Sequence, residues 1–128
     1  MSRRADITDV LMGLLQSEIP NVHWGTLVTG ANRTNRLEGT VSCDRVTYTE
    51  QTKTGRKGTM TYSIYLMDTK SVEGVDVIAD TVDDVLTIYS DLGGWCTSSR
   101  VKNIIFGAAQ GKNNVGIALI EYEVNFDC

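Results

Sequence analysis

The stretch Thr69–Gly94, TKSVEGVDVIADTVDDVLTIYSDLGG, decides how the rest of the chain is read. Val75, Ile78, Ala79, Val82, Leu86 and Tyr89 recur at spacings of three and four, which predicts an amphipathic helix with one buried face. Ser71 stands ahead of the pattern, where its hydroxyl can cap unpaired backbone N–H groups. Gly93 and Gly94 follow it and are expected to close the helix in the left-handed conformation. The opposite face carries Glu73, Asp76, Asp80, Asp83 and Asp84, and no Lys or Arg lies between Val72 and Asp91. Like charges one turn apart mildly oppose helix formation, so folding does not require this face. It is either solvated or set against something positive, and Lys53, Arg56 and Lys57 of the same chain are the candidates.

Working outward, 128 residues suit one domain with a sizeable core, and residues 1–128 are read as a single α+β domain. The net charge of −4 argues against general attraction to nucleic acid. The distribution says more than the sum. From Arg33 to Lys57 six basic residues face three acidic ones, whereas Asp68 to Asp91 holds seven acids and Lys70 alone. Three cysteines, Cys43, Cys96 and Cys128, match neither a CxxC pair nor a zinc spacing. They read as thiols of a reducing compartment, with one disulfide as the alternative. Asp6 and Asp9 interrupt what would be the apolar core of a signal peptide, and no run approaches the roughly 18 apolar residues of a membrane span. The expectation is a soluble protein made in the cytosol, in which the sequon Asn32-Arg33-Thr34 is fortuitous.

Asp6 is the expected cap of a first helix whose Ile7, Val10, Leu11, Leu14 and Leu15 share one face, and Pro20 ends it. Val22–Thr29 reads as a short strand, and Gly30–Arg36 as a polar loop. Thr40–Thr49 and Thr59–Thr69 read as two long strands, the second alternating Met60, Tyr62, Ile64 and Leu66 with polar neighbours. In the first, Val41 and Cys43 occupy one phase and Val46 and Tyr48 the other, which places a bulge near Asp44-Arg45. Between them Glu50–Gly58 reads as a projecting basic arm. Arg100–Ala109 and Val115–Asp127 form a second hairpin about the turn Gln110–Asn114. The phase change in the last strand, from Val115, Ile117 and Leu119 to Ile120, Tyr122, Val124 and Phe126, calls for a bulge or for cover on both faces. The order α-β-β-β-α-β-β predicts an antiparallel or mixed sheet of four to five strands with two helices packed on one face.

The residues that carry chemistry are few. His23 is the only histidine, and its neighbours Val22 and Trp24 favour a strand position over a general base. Cys43 and Cys96 fall in a strand and a capping loop, where thiols are inert. The run Gly107–Lys112 is one residue short of a phosphate loop, with Asn113 where Ser or Thr should bind magnesium. Asp80, Asp83 and Asp84 lack calcium-loop spacing and read as solvated helical carboxylates. No catalytic residue, cofactor or metal is assigned. For the basic arm, the plain reading is a charged hairpin tip that keeps an edge soluble. The functional reading is a contact with a neighbouring subunit, which an acidic chain without stacking aromatics between Tyr48 and Tyr62 makes preferable to nucleic acid.

In layout the chain resembles the small tail-terminator and tail-completion (head–tail joining) proteins of long-tailed bacteriophages. The resemblance lies in the Asp6–Leu15 helix, the strand Tyr62–Asp68, the helix Val75–Leu86 after a short polar break, and the closing strand Ala118–Phe126. It implies a non-enzymatic virion protein that forms a ring, commonly of six copies, at the head-proximal end of the tail tube. Its partners are then other copies of itself and tail or connector proteins, with no membrane, no sequence-specific nucleic acid and no small-molecule substrate. Its location would be host cytoplasm during assembly and afterwards the virion. A closing ring needs two complementary patches per subunit. The candidates are Asp76, Asp80, Asp83 and Asp84 on one side and Lys53, Arg56 and Lys57 on the other, while Arg33 and Arg36 either line the lumen or meet another partner. Two other classes compete. One is a cone-shaped isomerase or dehydratase with Tyr62, Tyr65, Tyr122 and Asp68 around an apolar pocket; the other is a small cytosolic module whose acidic helix docks on a basic partner.

Overall fold

The computed structural model describes residues 3–20, 22–25, 37–51, 55–68, 72–92, 94, 96–108 and 116–127. Its elements are α1 (Arg3–Glu18), β1 (His23–Gly25), β2 (Leu37–Gln51), β3 (Arg56–Asp68), α2 (Val72–Ile88), β4 (Ser98–Ala108) and β5 (Gly116–Asp127). The predicted α-β-β-β-α-β-β order is the observed one. The five strands lie in the order β1-β2-β3-β5-β4. β1 runs parallel to β2, and every other neighbouring pair is antiparallel, so the sheet is mixed.

Helix α1 begins ahead of Asp6, which therefore sits in the first turn and not at the cap; a carboxylate there still faces the positive end of the helix. Ile7, Leu11 and Leu15 are fully buried one turn apart, and Val10, Met12 and Leu14 pack partly against the core. The N–H of Ile19 still donates to the Leu15 carbonyl at 2.9 Å before Pro20 turns the chain. Helix α2 buries Val75, Ile78, Ala79, Val82 and Leu86 as its period requires. It stops at Ile88, ahead of the expected glycines. Tyr89–Leu92 form turns, and Leu92, at φ 51°, takes the left-handed conformation before Gly94 does at φ 94°. The side chain of Leu92 is buried in the core, which holds a conformation that non-glycine residues seldom adopt. Tyr89 is exposed and not on the buried face, its hydroxyl donating to Glu18 Oε1 at 3.2 Å. Ser71 and Gly93 lie outside the described residues.

At the hairpin end both long strands exceed their predicted spans, while Thr69 lies outside the described residues. β2 and β3 continue toward each other until Glu50 pairs with Lys57 and Gln51 with Arg56. The expected bulge is present between Cys43 and Arg45, with a second between Tyr48 and Glu50. The phase change in β5 is not a bulge. Its register with β3 runs unbroken from Asp127 to Gly116, and Ile117 and Leu119 are half-buried on the face away from Ala118 and Ile120. Met67 is buried on that face too. The irregularity of the second hairpin is in β4, between Val101 and Asn103.

The core lies between the helices and one face of the sheet. Met60, Tyr62, Ile64 and Leu66 of β3 and Ala118, Ile120, Tyr122, Val124 and Phe126 of β5 meet the apolar sides of α1 and α2. Two polar contacts fix α1 and the segment after it. Tyr62 Oη and Thr8 Oγ1 share a hydrogen bond of 2.7 Å, and Trp24 Nε1 donates to the Ile19 carbonyl at 3.0 Å. The Trp24 ring lies against Gly39, where a Cβ would come within 2.5 Å of it. Only glycine permits that approach.

Candidate assembly surfaces

On α2 the register of the helix sends Asp76, Asp80 and Asp84 to the surface, with Asp83 half-exposed. Among the described residues no ion pair reaches these four carboxylates. Val77 and Ile88 stand among them, 65% and 73% exposed, and with Asp84 they form one outward stripe at i, i+7 and i+11. The surface is thus acidic with two apolar points. Both points are legible in the sequence as residues out of phase with Val75, Ile78 and Val82.

The basic arm is tighter than expected. Arg56 and Lys57 belong to the β2–β3 ladder, not to a loop, and both are exposed. The Arg56 guanidinium lies 5.5 Å from the centre of the Tyr48 ring, and Tyr48 meets Phe126 edge to face at 6.0 Å. A cation held over a ring in this way contributes about 0.5–1 kcal/mol at an exposed site. Lys57 falls in register between Glu50 and Asp127, so the strand ends bring acids alongside a base that looked isolated in the sequence. Lys53, Arg33 and Arg36 lie outside the described residues.

The start of α2 and the basic pair Arg56 and Lys57 belong to different ends of the sheet. β3 spans 13 residues, roughly 40 Å at about 3.3 Å per residue, with Arg56 and Lys57 at its start and Asp68 at its end. α2 starts just beyond Asp68, and its last turn leads into Ser90, whose carbonyl accepts from Ser99 Oγ at 2.8 Å. The acids nearest the start of α2 are therefore far from the hairpin end of their own chain.

No family model matches the chain. No curated protein is similar to it in sequence. Among solved structures, a chain in the virion of a native gene transfer agent (GTA) particle is a neighbour at 8% identity and a TM-score of 0.48, with 95% of this chain and 92% of that chain covered.

The residues weighed for catalysis do not converge. Tyr62 and Tyr122 are buried together, with ring centres 6.2 Å apart. Burial pushes the Tyr62 phenol up to about 12, against the smaller opposing effect of its bond with Thr8. Burial also raises Tyr122 above the ordinary phenol range. Such phenols hold their protons near neutrality and do not act as bases. Tyr65 points to the other face of the sheet, and Asp68 is buried at the far end of β3. His23 is exposed on β1. Cys96 is buried, and burial, reinforced by the charge of Asp91, lifts its thiol to about 11. A surface pocket of about 570 Å³ lies between the start of α1 and the β2 bulge, lined by Ala5, Thr8, Cys43, Asp44, Arg45, Val46 and Met60. The Asp44 carboxylate there is occupied by the hydroxyls of Ser42 and Ser63.

Proposed function

We propose that this chain is a structural virion protein that assembles with copies of itself into a ring at the head-proximal end of a phage tail tube, joining or terminating it. The observation that carries the reading is the outward face of α2. Among the described residues its carboxylates have no ion-pair partner, and Val77 and Ile88 between them supply apolar contact area that a purely solvated face does not need. In a head-to-tail contact Arg56, Lys57 and Lys53 of one copy approach Asp76, Asp80, Asp83 and Asp84 of the next. Exposed ion pairs contribute only about 0–1 kcal/mol each. They set register and partner choice, while apolar contacts hold the ring. The resemblance in layout to tail-terminator and tail-completion proteins supports the same reading.

Size-exclusion chromatography with light scattering, followed by negative-stain imaging, tests it. The expected result is a closed ring, commonly of six copies, whose association weakens with salt. Replacing Lys53, Arg56 and Lys57 together by Glu is expected to prevent ring closure. A ring that forms unaltered in that variant rules out the arm-to-helix contact, and a monomer at every concentration of the parent protein rules out the ring.

A further inference from the structure

Among the described residues the sheet ends in two edges, β1 and β4, and they differ in how they are protected. Exposed edge strands invite pairing with another chain, and proteins blunt them with charges, bulges or short length. The first half of β4 is blunted in this way. Arg100 and Lys102 stand there, both reaching Glu123 at 3.7 and 3.8 Å, and the ladder is bulged between Val101 and Asn103. The second half, Ile104–Ala108, has no charge, no proline and no bulge, and Ile105 and Phe106 are 53% and 49% exposed. Among the described residues no strand lies beside it.

The registers put this open half level with the other edge. Gly107 aligns through Ile117, Met67 and Glu38 with His23; Phe106 aligns through Ala118, Leu66 and Gly39 with Trp24. The blunted half of β4 is level instead with the bulged part of β2 beyond β1. Direction matters as well. β2, β3, β5 and β4 alternate, and β1 runs with β2, so β1 and β4 point in opposite senses. Five strands alternating throughout would leave both edges pointing the same way. The single parallel pair reverses one edge, and copies set head to tail then meet in the antiparallel arrangement, the more stable one per residue.

We propose that copies of this chain join by pairing the Ile104–Ala108 edge of β4 in one copy with the β1 edge of the next, continuing the sheet from subunit to subunit. This rests on the assembly reading above and names the backbone contact within it. A two-fold junction of two β4 edges would stop at a pair and leave β1 uncovered, so it does not generate a ring.

Light scattering on the full chain tests the proposal, with circular dichroism confirming that each variant is folded. Ile105→Lys places a charge on the open half and is expected to weaken association at least tenfold, whereas Ile105→Val keeps the edge apolar and associates as the parent does. If the parent assembles and folded Ile105→Lys assembles equally well, the edge junction is overturned while the assembly reading stands; a monomeric parent overturns both. Cross-linking gives an independent measurement. In a background with Cys43 and Cys128 changed to Ser, one protein carries His23→Cys, at an exposed position, and another Gly107→Cys, where an added Cβ meets nothing within 4 Å. A flexible bismaleimide is expected to link the two variants when they are mixed. Links within Gly107→Cys alone would mark a two-fold junction and overturn the proposal, as would assembled protein that gives no link.

Discussion

Gly39→Ala is a one-methyl change with a cost that follows from the structure. A Cβ at position 39 would lie 2.4 Å and 2.5 Å from two carbons of the Trp24 ring and 3.1 Å from a third. Carbon atoms in contact sit about 3.5–4.0 Å apart, so the ring must withdraw by roughly 1 Å. It cannot do so freely, because Trp24 is buried and its indole N–H is held by the Ile19 carbonyl at 3.0 Å. Overpacking of this kind costs about 1–3 kcal/mol, and loss of the indole hydrogen bond adds about 0.5–1.5 kcal/mol. The expected destabilisation is therefore about 2–4 kcal/mol, read as a lower urea midpoint at unchanged slope. Trp24→Leu removes the obstacle at its own cost in lost packing. In the double variant the alanine should then add almost nothing, a coupling of about 2 kcal/mol or more between neighbouring sites. A Gly39→Ala protein within about 0.5 kcal/mol of the parent would refute the close approach, and so would additive costs in the double variant.

Tyr62→Phe removes the bond that ties α1 to β3 and is expected to cost about 0.5–1.5 kcal/mol in urea unfolding, with Thr8→Val showing a coupled and not an additive loss. Alkaline pH should destabilise the fold in a defined window. Cys96 and Tyr62 both have folded values raised by burial, from 9.0 to about 11 and from 10.0 to about 12. Each favours the folded state fully below its unfolded value, and that stability is lost as pH rises through the folded one. Unfolding followed against pH should thus show stability falling from about pH 9 to about pH 12, and the first part of that fall should vanish in Cys96→Ser. With Cys128 changed to Ser, a chromogenic disulfide reagent at pH 8 should find one fast thiol, the exposed Cys43, and one that reacts only as the protein opens, Cys96.

The periodic parts of the chain were legible from sequence because burial imposes a period. The buried stripes of α1 and α2 and the alternation of β3 follow directly from apolar spacing, and the β2 bulge followed from a phase slip. Element ends were less legible, because pairing between strands decides them. Glu50, Gln51, Arg56 and Lys57 look like loop residues by polarity, but the ladder carries them as strand. The end of α2 was misplaced because a pair of glycines is a strong local signal, whereas the burial of Leu92 is a tertiary one. Of the surfaces, the acidic face was visible as charge. The open half of β4 was not, since Ile104-Ile105-Phe106 reads equally well as a buried strand until the strand order shows it at an edge.

β5 lies between β3 and β4 in the sheet although it is the last element along the chain. Each of its pairings with β3 joins residues tens of positions apart, so the entropy of closing long loops is spent before the ladder forms. Until that strand arrives, Tyr62, Ile64 and Leu66 have no neighbour on one flank, and the growing protein is a half-sheet with a naked apolar side. A sheet closed by such distant pairings is expected to form slowly, and its yield should respond to chaperone supply and synthesis temperature more than to any single surface charge.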